Sequence, residues 1–283
     1  MTGSIILTED NLSPDGVFNS SRVFAPFNRL TLNMRGLNLQ GRKIGLKKLN
    51  LYYSWPNIRN ATSITISWRI AGAYTNYTWT LPALTNYSSI SVLNQALQTF
   101  CIANGLYLID GNGDNVYYVS LAANSTSYKV DLSLYTVPTS LPVGYTQPSN
   151  FAGYPTASVT PKMIIPASSE FIGITGLPAG TYDGIGSNIV YSSTYVPQLS
   201  PVSTVFISCN IAKNDVPING STVIQAFTTR GTDYGAMIEI APSEVSYYEV
   251  DSNSNNLEIQ LFDQSFVPLY IQDPQITVHL EVA

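Results

Sequence analysis

The chain has one histidine and two cysteines among 283 residues, so few of its side chains could carry reaction chemistry. His279 lies between Thr277 and Glu281 on the polar set of a terminal strand pattern. No Gly-X-Ser-X-Gly elbow or Cys–His spacing accompanies it, which removes the common nucleophile–base arrangements and predicts no catalytic residues. His279 therefore reads as a surface or interface strand residue. Cys101 falls on a helical pattern and Cys209 on the apolar set of Val205–Ile211, so both read as small buried hydrophobes. Asp110, Asn112 and Asp114 match the opening of a calcium loop, but Asn115 stands where that loop needs glycine and Leu121 where it needs glutamate. A hairpin tip explains them better, and no metal or cofactor is expected. The run Gly180–Gly186 is glycine-rich without preceding a helix pattern, so it is not a phosphate cradle. Paired carboxylates for glycoside hydrolysis are set by the fold and stay open. The aromatic residues offer a different chemistry. Trp68 sits in an alternating apolar set and reads as core, whereas Trp55 and the tyrosines of 136–203 are freer to contact a protein or a glycan.

The elements that must hold these residues are mostly strands. Leu257, Ile259 and Leu261 alternate with polar partners, and so do Ile276, Val278, Leu280 and Val282. Such a period puts one set of side chains in a core and the other outside. The outer set, Glu258, Gln260, Thr277, His279 and Glu281, reads as a polar row free to meet a neighbouring subunit, and the C-terminus as tied into its own sheet. Further alternation runs through Leu30–Arg35, Leu49–Tyr53, Ser63–Ile70, Tyr77–Leu81, Lys129–Tyr135, Thr204–Ile211 and three more stretches before residue 256. Leu106–Ile109 and Val116–Leu121 flank the 110–115 tip as a hairpin. One stretch breaks the two-residue period: from Ser89 as N-cap, Ile90, Leu93, Leu97, Phe100 and Cys101 recur at helical spacing up to Gly105. At least ten strands, one short helix and no α/β alternation predict an all-β fold of two packed antiparallel sheets, a sandwich or jelly roll.

Four segments follow. Residues 1–28 read as an extended N-terminal arm, 29–135 as the first part of the β-fold with its helix and hairpin, and 204–283 as the closing strands. Residues 136–203 hold 9 of the 17 prolines and 7 of the 19 glycines with three charges, and read as an insertion or a set of long ordered loops. Their tyrosines argue against disorder.

Charged residues make up 11% of the chain, well below the ordinary share, so Tyr, Ser, Thr and Asn carry its polarity. Such a surface favours packing against other proteins. Residues 1–50 carry seven basic and three acidic residues, a net of +4, and the remainder carries six and fifteen, a net of −9. A basic beginning on an acidic body suggests an anionic contact, an acidic subunit or weakly nucleic acid, against the simpler reading of guarded strand edges. With no secretory signal, cysteine framework or membrane-length apolar run, synthesis inside a cell is expected.

Three stretches resemble the minor capsid (penton) proteins of virophages and Polinton-like viruses. They are Tyr77–Pro82 with Tyr87–Gln98; Val205–Ile211 with Ile224–Phe227; and Leu261–Gln264 with Pro268-Leu269 and Val278–Leu280. The resemblance implies a jelly roll with an inserted lobe, assembled as a homopentamer at the vertices of an icosahedral virion beside the major capsid protein. It implies no catalytic residues. The rival expectation is a β-sandwich that binds carbohydrate or attaches to a host receptor.

Overall fold

The computed structural model describes residues 3–14, 27–34, 39–213, 222–229, 231–251 and 254–283. The chain divides into two compact units, Met1–Pro56 with Val202–Ala283, and Asn57–Pro201. The first opens with β1 (Gly3–Leu7), β2 (Leu12–Pro14), β3 (Phe27–Asn33) and β4 (Lys43–Tyr52). The second follows with β5 (Thr62–Ile70), β6 (Ala73–Leu81), helix α1 (Ile90–Ala103), β7 (Tyr107–Ile109), β8 (Asn115–Tyr117), β9 (Val119–Asn124), β10 (Lys129–Leu134), β11 (Lys162–Ile165), helix α2 (Phe171–Thr175), β12 (Gly180–Tyr182) and β13 (Ile189–Ser192). The first unit then resumes with β14 (Thr204–Cys209), β15 (Ala212–Lys213), β16 (Thr222–Thr228), β17 (Met237–Ile240), β18 (Tyr248–Val250), β19 (Asn256–Phe262) and β20 (Ile276–Val282).

The first unit is an all-β sandwich. One sheet runs β1-β20-β4-β18-β15, with β17 also on β4, and the other runs β16-β14-β19-β3-β2, every pairing antiparallel. Both sheets point their apolar sets into one core, where Leu7, Ile44, Leu49, Val278 and Leu280 of the first meet Leu30, Val205, Ile207, Ile259 and Leu261 of the second. Each such side chain contributes about 1.5–3 kcal/mol by leaving water. β4 shows how sequence sets register. The ladder with β20 slips between His279 and Leu280, so Ile44 and Leu46 point inward before the slip, Leu49 and Leu51 after it, and Lys47 and Lys48 both stay outside. A bulge of this kind lets two lysines sit in sequence without burying either. Gly45 is required by close approach, because a Cβ there would lie 2.4 Å from the Ser246 carbonyl oxygen.

The second unit has its own core. α1 begins at Ser89, whose extended backbone and hydroxyl cap the amide of Val92, and it buries Ile90, Leu93, Leu97 and Cys101. Gly105 ends it at φ +66°, so the Leu106 amide can return to the Cys101 carbonyl at 2.9 Å. Those helical residues pack with Ile64, Ile66 and Trp68 of β5, Leu132 and Leu134 of β10 and Phe171 of α2. The strands form a four-stranded sheet β12-β11-β5-β6, a three-stranded sheet β13-β10-β9 and the hairpin β7-β8.

This division corrects the segments expected from sequence. Residues 57–135 belong with 136–201 and not with the sandwich, because their alternation reports one buried face without saying which core receives it. Part of the expected arm is strand: β1 pairs along its length with β20, from Gly3 opposite Val282 to Leu7 opposite Val278. Residues 15–26 of that arm lie outside the described residues. A second, five-residue helix α2 joins the one expected.

Candidate functional site

The five residues expected to make one polar row divide between the two sheets of the sandwich. Glu258 and Gln260 stand on β19, and Thr277, His279 and Glu281 stand on β20, which belongs to the other sheet. The two glutamates of the set are paired. Glu258 lies 3.6 Å from Arg29, and its amide donates to Asn210 Oδ1 at 2.6 Å. Glu281 is 3.2 Å from Lys47, and hydrogen bonds from Lys47 and then Tyr247 hold its carboxyl below the usual carboxylate range. Lys48 on the same outer face bonds Glu239 at 2.7 Å. These pairs account for three of the seven basic residues of positions 1–50: strands from the chain's start lie beside later strands, and opposite charges meet across the ladders.

Among the described residues, two buried polar atoms behind this outer face stay unmatched. His279 stands in register between Ile6 of β1 and Lys48 of β4, and its Nε2 is withdrawn from solvent with no hydrogen-bond partner. Asn50 Oδ1 is in the same condition, on the wall of a groove of about 550 Å³ formed with Thr8, Tyr52, Met237, Gln275 and Thr277. Ile6 and Met237 expose more than half their surface nearby. A withdrawn polar atom without a partner costs about 1–3 kcal/mol.

The other candidates resolve into structure. Cys101 and Cys209 are both fully buried, and burial pushes their thiols up to about 12 and about 11. Neither is a thiolate at neutral pH. Asp110 Oδ1 accepts the amides of Asn112 at 2.9 Å and Asp114 at 3.0 Å, which makes this carboxylate the internal clamp of the β7-β8 turn. Among the described residues no group of three or more His, Cys, Asp or Glu could hold a metal. Glu170 accepts from the Asn60 side chain at 2.9 Å and from the amides of Arg59 and Asn60, and so fixes the start of the second unit. Trp55 is 2% exposed, which corrects its reading as a contact residue; Trp68 is core, as its alternation implied. Tyr145, Tyr154, Tyr182 and Tyr191 pack partly buried against the second unit's core, and only Tyr195 of the five is largely exposed.

A feature that composition and motif did not reveal lies on the outer face of the β12-β11-β5-β6 sheet. β5 and β6 join through the two-residue turn Ala71-Gly72, with Ile70 opposite Ala73, so Arg69 faces Tyr74 and Ser67 faces Asn76. Lys162 of β11 stands opposite Ser67. The Lys162 ammonium lies 4.4 Å from the centre of the Tyr74 ring and the Arg69 guanidinium carbon 5.7 Å from it. Asp183 bonds Lys162 at 2.7 Å. Burial alone would raise the Asp183 carboxyl, but the Lys162 hydrogen bond and the Ile185 amide outweigh it and hold it low. The same bond holds Lys162 high, against burial and the nearby charge of Arg69. Arg69 makes no ion pair among the described residues, and its Nε is withdrawn and unpartnered. Counting outward from the short turn would have placed Arg69 against Tyr74.

No helix among the described residues is long and apolar enough to cross a membrane. Compared with known proteins, the chain matches no protein-family model and no curated protein.

Proposed function

We propose that this chain is a structural virion protein, a homopentameric vertex capsomer (penton) of an icosahedral virus built from double-jelly-roll capsid proteins, with a structural and not a catalytic role. The observation that carries the reading is strand order. In chain order, β1, β3, β4, β14, β16, the β17-β18 pair, β19 and β20 fall in sheets one, two, one, two, two, one, two, one. The first strand pairs with the last, and the last pairs with β4. That connectivity supports a jelly roll, in which two Greek keys wrap into one sandwich, an architecture frequent among capsid subunits and lectins. The second unit enters between the third and fourth of those strands as a lobe with its own core. The low charge of the chain and the exposed Ile6 and Met237 on the outer face of the β1-β20-β4 sheet support a surface completed by neighbours. The partners are four further copies and the major capsid protein of the same virion; Arg29, Lys47 and Lys48, each paired with a glutamate, give little support to nucleic acid.

Native mass spectrometry of the purified chain tests this reading. A species of about 154 kDa, five times 30.8 kDa, is expected, with five-fold rings in negative-stain images. A chain that remains monomeric at high concentration and never enters shells formed with its major capsid protein would overturn it. A host-attachment or carbohydrate-binding role finds separate support in the uncovered sheet of the second unit.

A further inference from the structure

We propose that the outer face of the β12-β11-β5-β6 sheet binds a carboxylate-bearing saccharide, with Arg69 as the carboxylate contact and the edge of the Tyr74 ring beside it as the contact for the sugar. The proposal gives a ligand class to the attachment reading of the second unit and does not depend on assembly. Its first support is charge placement. Residues 57–201 hold four cationic side chains, Arg59, Arg69, Lys129 and Lys162, and two of the four converge on one tyrosine ring. Among the described residues only Asp183 answers them, and it is bonded to Lys162. One positive charge is left over, and it belongs to Arg69.

The second support is geometry. The guanidinium is a rigid planar fork that pairs two parallel N–H groups with the two oxygens of a carboxylate. Arg69 is half-buried with its Nε withdrawn, and its guanidinium makes no hydrogen bond or ion pair among the described residues, while the Tyr74 ring lies 5.7 Å beneath it. Beside it, Ser67 Oγ donates to Asn76 Oδ1 at 2.6 Å, which fixes that amide and leaves its Nδ2 hydrogens uncommitted on an exposed residue. A guanidinium, a ring edge and an amide donor in adjacent rows match a carboxylate, a pyranose and a ring hydroxyl. A sulfated polymer or a nucleic-acid backbone needs a track of cations. A single uncompensated charge on a flat, hydroxyl-rich face suits one carboxylate.

Saturation-transfer NMR on the full chain tests this with 3′-sialyllactose, lactose and a sulfated heparin oligosaccharide as probes. Transfer to the acidic sugar of sialyllactose is expected, with lactose silent. Arg69→Gln should weaken binding at least tenfold, Arg69→Lys should retain part of it, and Tyr74→Leu should weaken it with the charge unchanged. Far-UV circular dichroism and thermal melts confirm that the outer-face variants stay folded. Equal transfer to lactose, binding by the sulfated probe alone, an unaffected Arg69→Gln protein, or no transfer from any probe would each overturn the proposal. Pentamers that form without binding would refute the saccharide site and leave the capsomer reading standing.

Discussion

Trp68 fastens β5 to a loop more than eighty residues away in sequence, and removing that fastening has a calculable cost. Its indole is fully buried, its Nε1 donates to the Gly153 carbonyl at 2.9 Å, and its ring meets Tyr118 and Phe151 edge-on at 5.7 and 6.5 Å. Trp68→Phe keeps a ring in the core but deletes the donor. The lost hydrogen bond costs about 1 kcal/mol, and the stranded carbonyl and missing ring contacts bring the total to about 2–3 kcal/mol. Trp68→Ala should cost about 3–5 kcal/mol. Urea unfolding followed by far-UV circular dichroism measures both. The second unit's transition must be fitted separately, since two cores need not melt together. Limited proteolysis gives an independent readout, because release of Gly153 should speed cleavage within residues 148–156 before global unfolding. A Trp68→Phe protein within about 0.5 kcal/mol of wild type, with unchanged cleavage, would refute the claim that this bond anchors the loop.

Leu280→Ala removes a fully buried side chain between β1 and β4 and should cost about 2–5 kcal/mol. Thr277→Ala on the opposite face of the same strand should stay within about 0.5 kcal/mol, a contrast that denaturant midpoints read directly. Gly105→Ala should destabilise the second unit by more than 1 kcal/mol, because φ is +66° and a Cβ would lie 2.0 Å from the Asn150 carbonyl oxygen; equal melting temperatures would contradict this. The Lys162–Asp183 pair should contribute about 1 kcal/mol between the ordinary carboxylate and lysine ranges. Asp183 is held low, so its share is present above its unfolded value of 3.8 and lost as pH falls through the folded value. Lys162 is held high, so its share is present below 10.5 and lost as pH rises through its folded value. The stability gap between wild type and Asp183→Asn should therefore close below about pH 4, and a gap constant from pH 3 to 7 would count against the pair.

Strand positions were legible in the sequence because the period-two pattern depends only on a face being buried. Residues 256–262 and 276–282 read as strands for that reason, and α1 was legible from Ser89 to Gly105 because cap, apolar spacing and stop agree. Ownership of strands was not legible. Ile64, Ile66 and Trp68 alternate as cleanly as Val278 and Leu280, yet they serve a different core. Within 136–201 the fixing contacts are long in sequence: Trp68 to Gly153, Thr136 to Asn188 and Val130 to Ser193. No local pattern encodes such partners. Asn94 of α1 makes the same point, because its side chain accepts the Leu121 amide at 2.8 Å, a partner 27 residues away.

Charge placement shows why local composition misleads about partners in this fold. A wrapped β-sandwich pairs its beginning with its end, so β1 and β4 flank β20, and β3 flanks β19. Basic residues gathered in the first fifty positions then find acidic partners near the C-terminus: Arg29 with Glu258 and Lys47 with Glu281. For these residues the asymmetry along the chain is matched by acidic partners in space. Arg69 is the opposite case. Nothing in its local composition marks it, yet it stands on an exposed sheet without a counter-ion among the described residues. Partner chemistry is therefore better read from charges that the fold leaves uncompensated than from charges that the sequence gathers together.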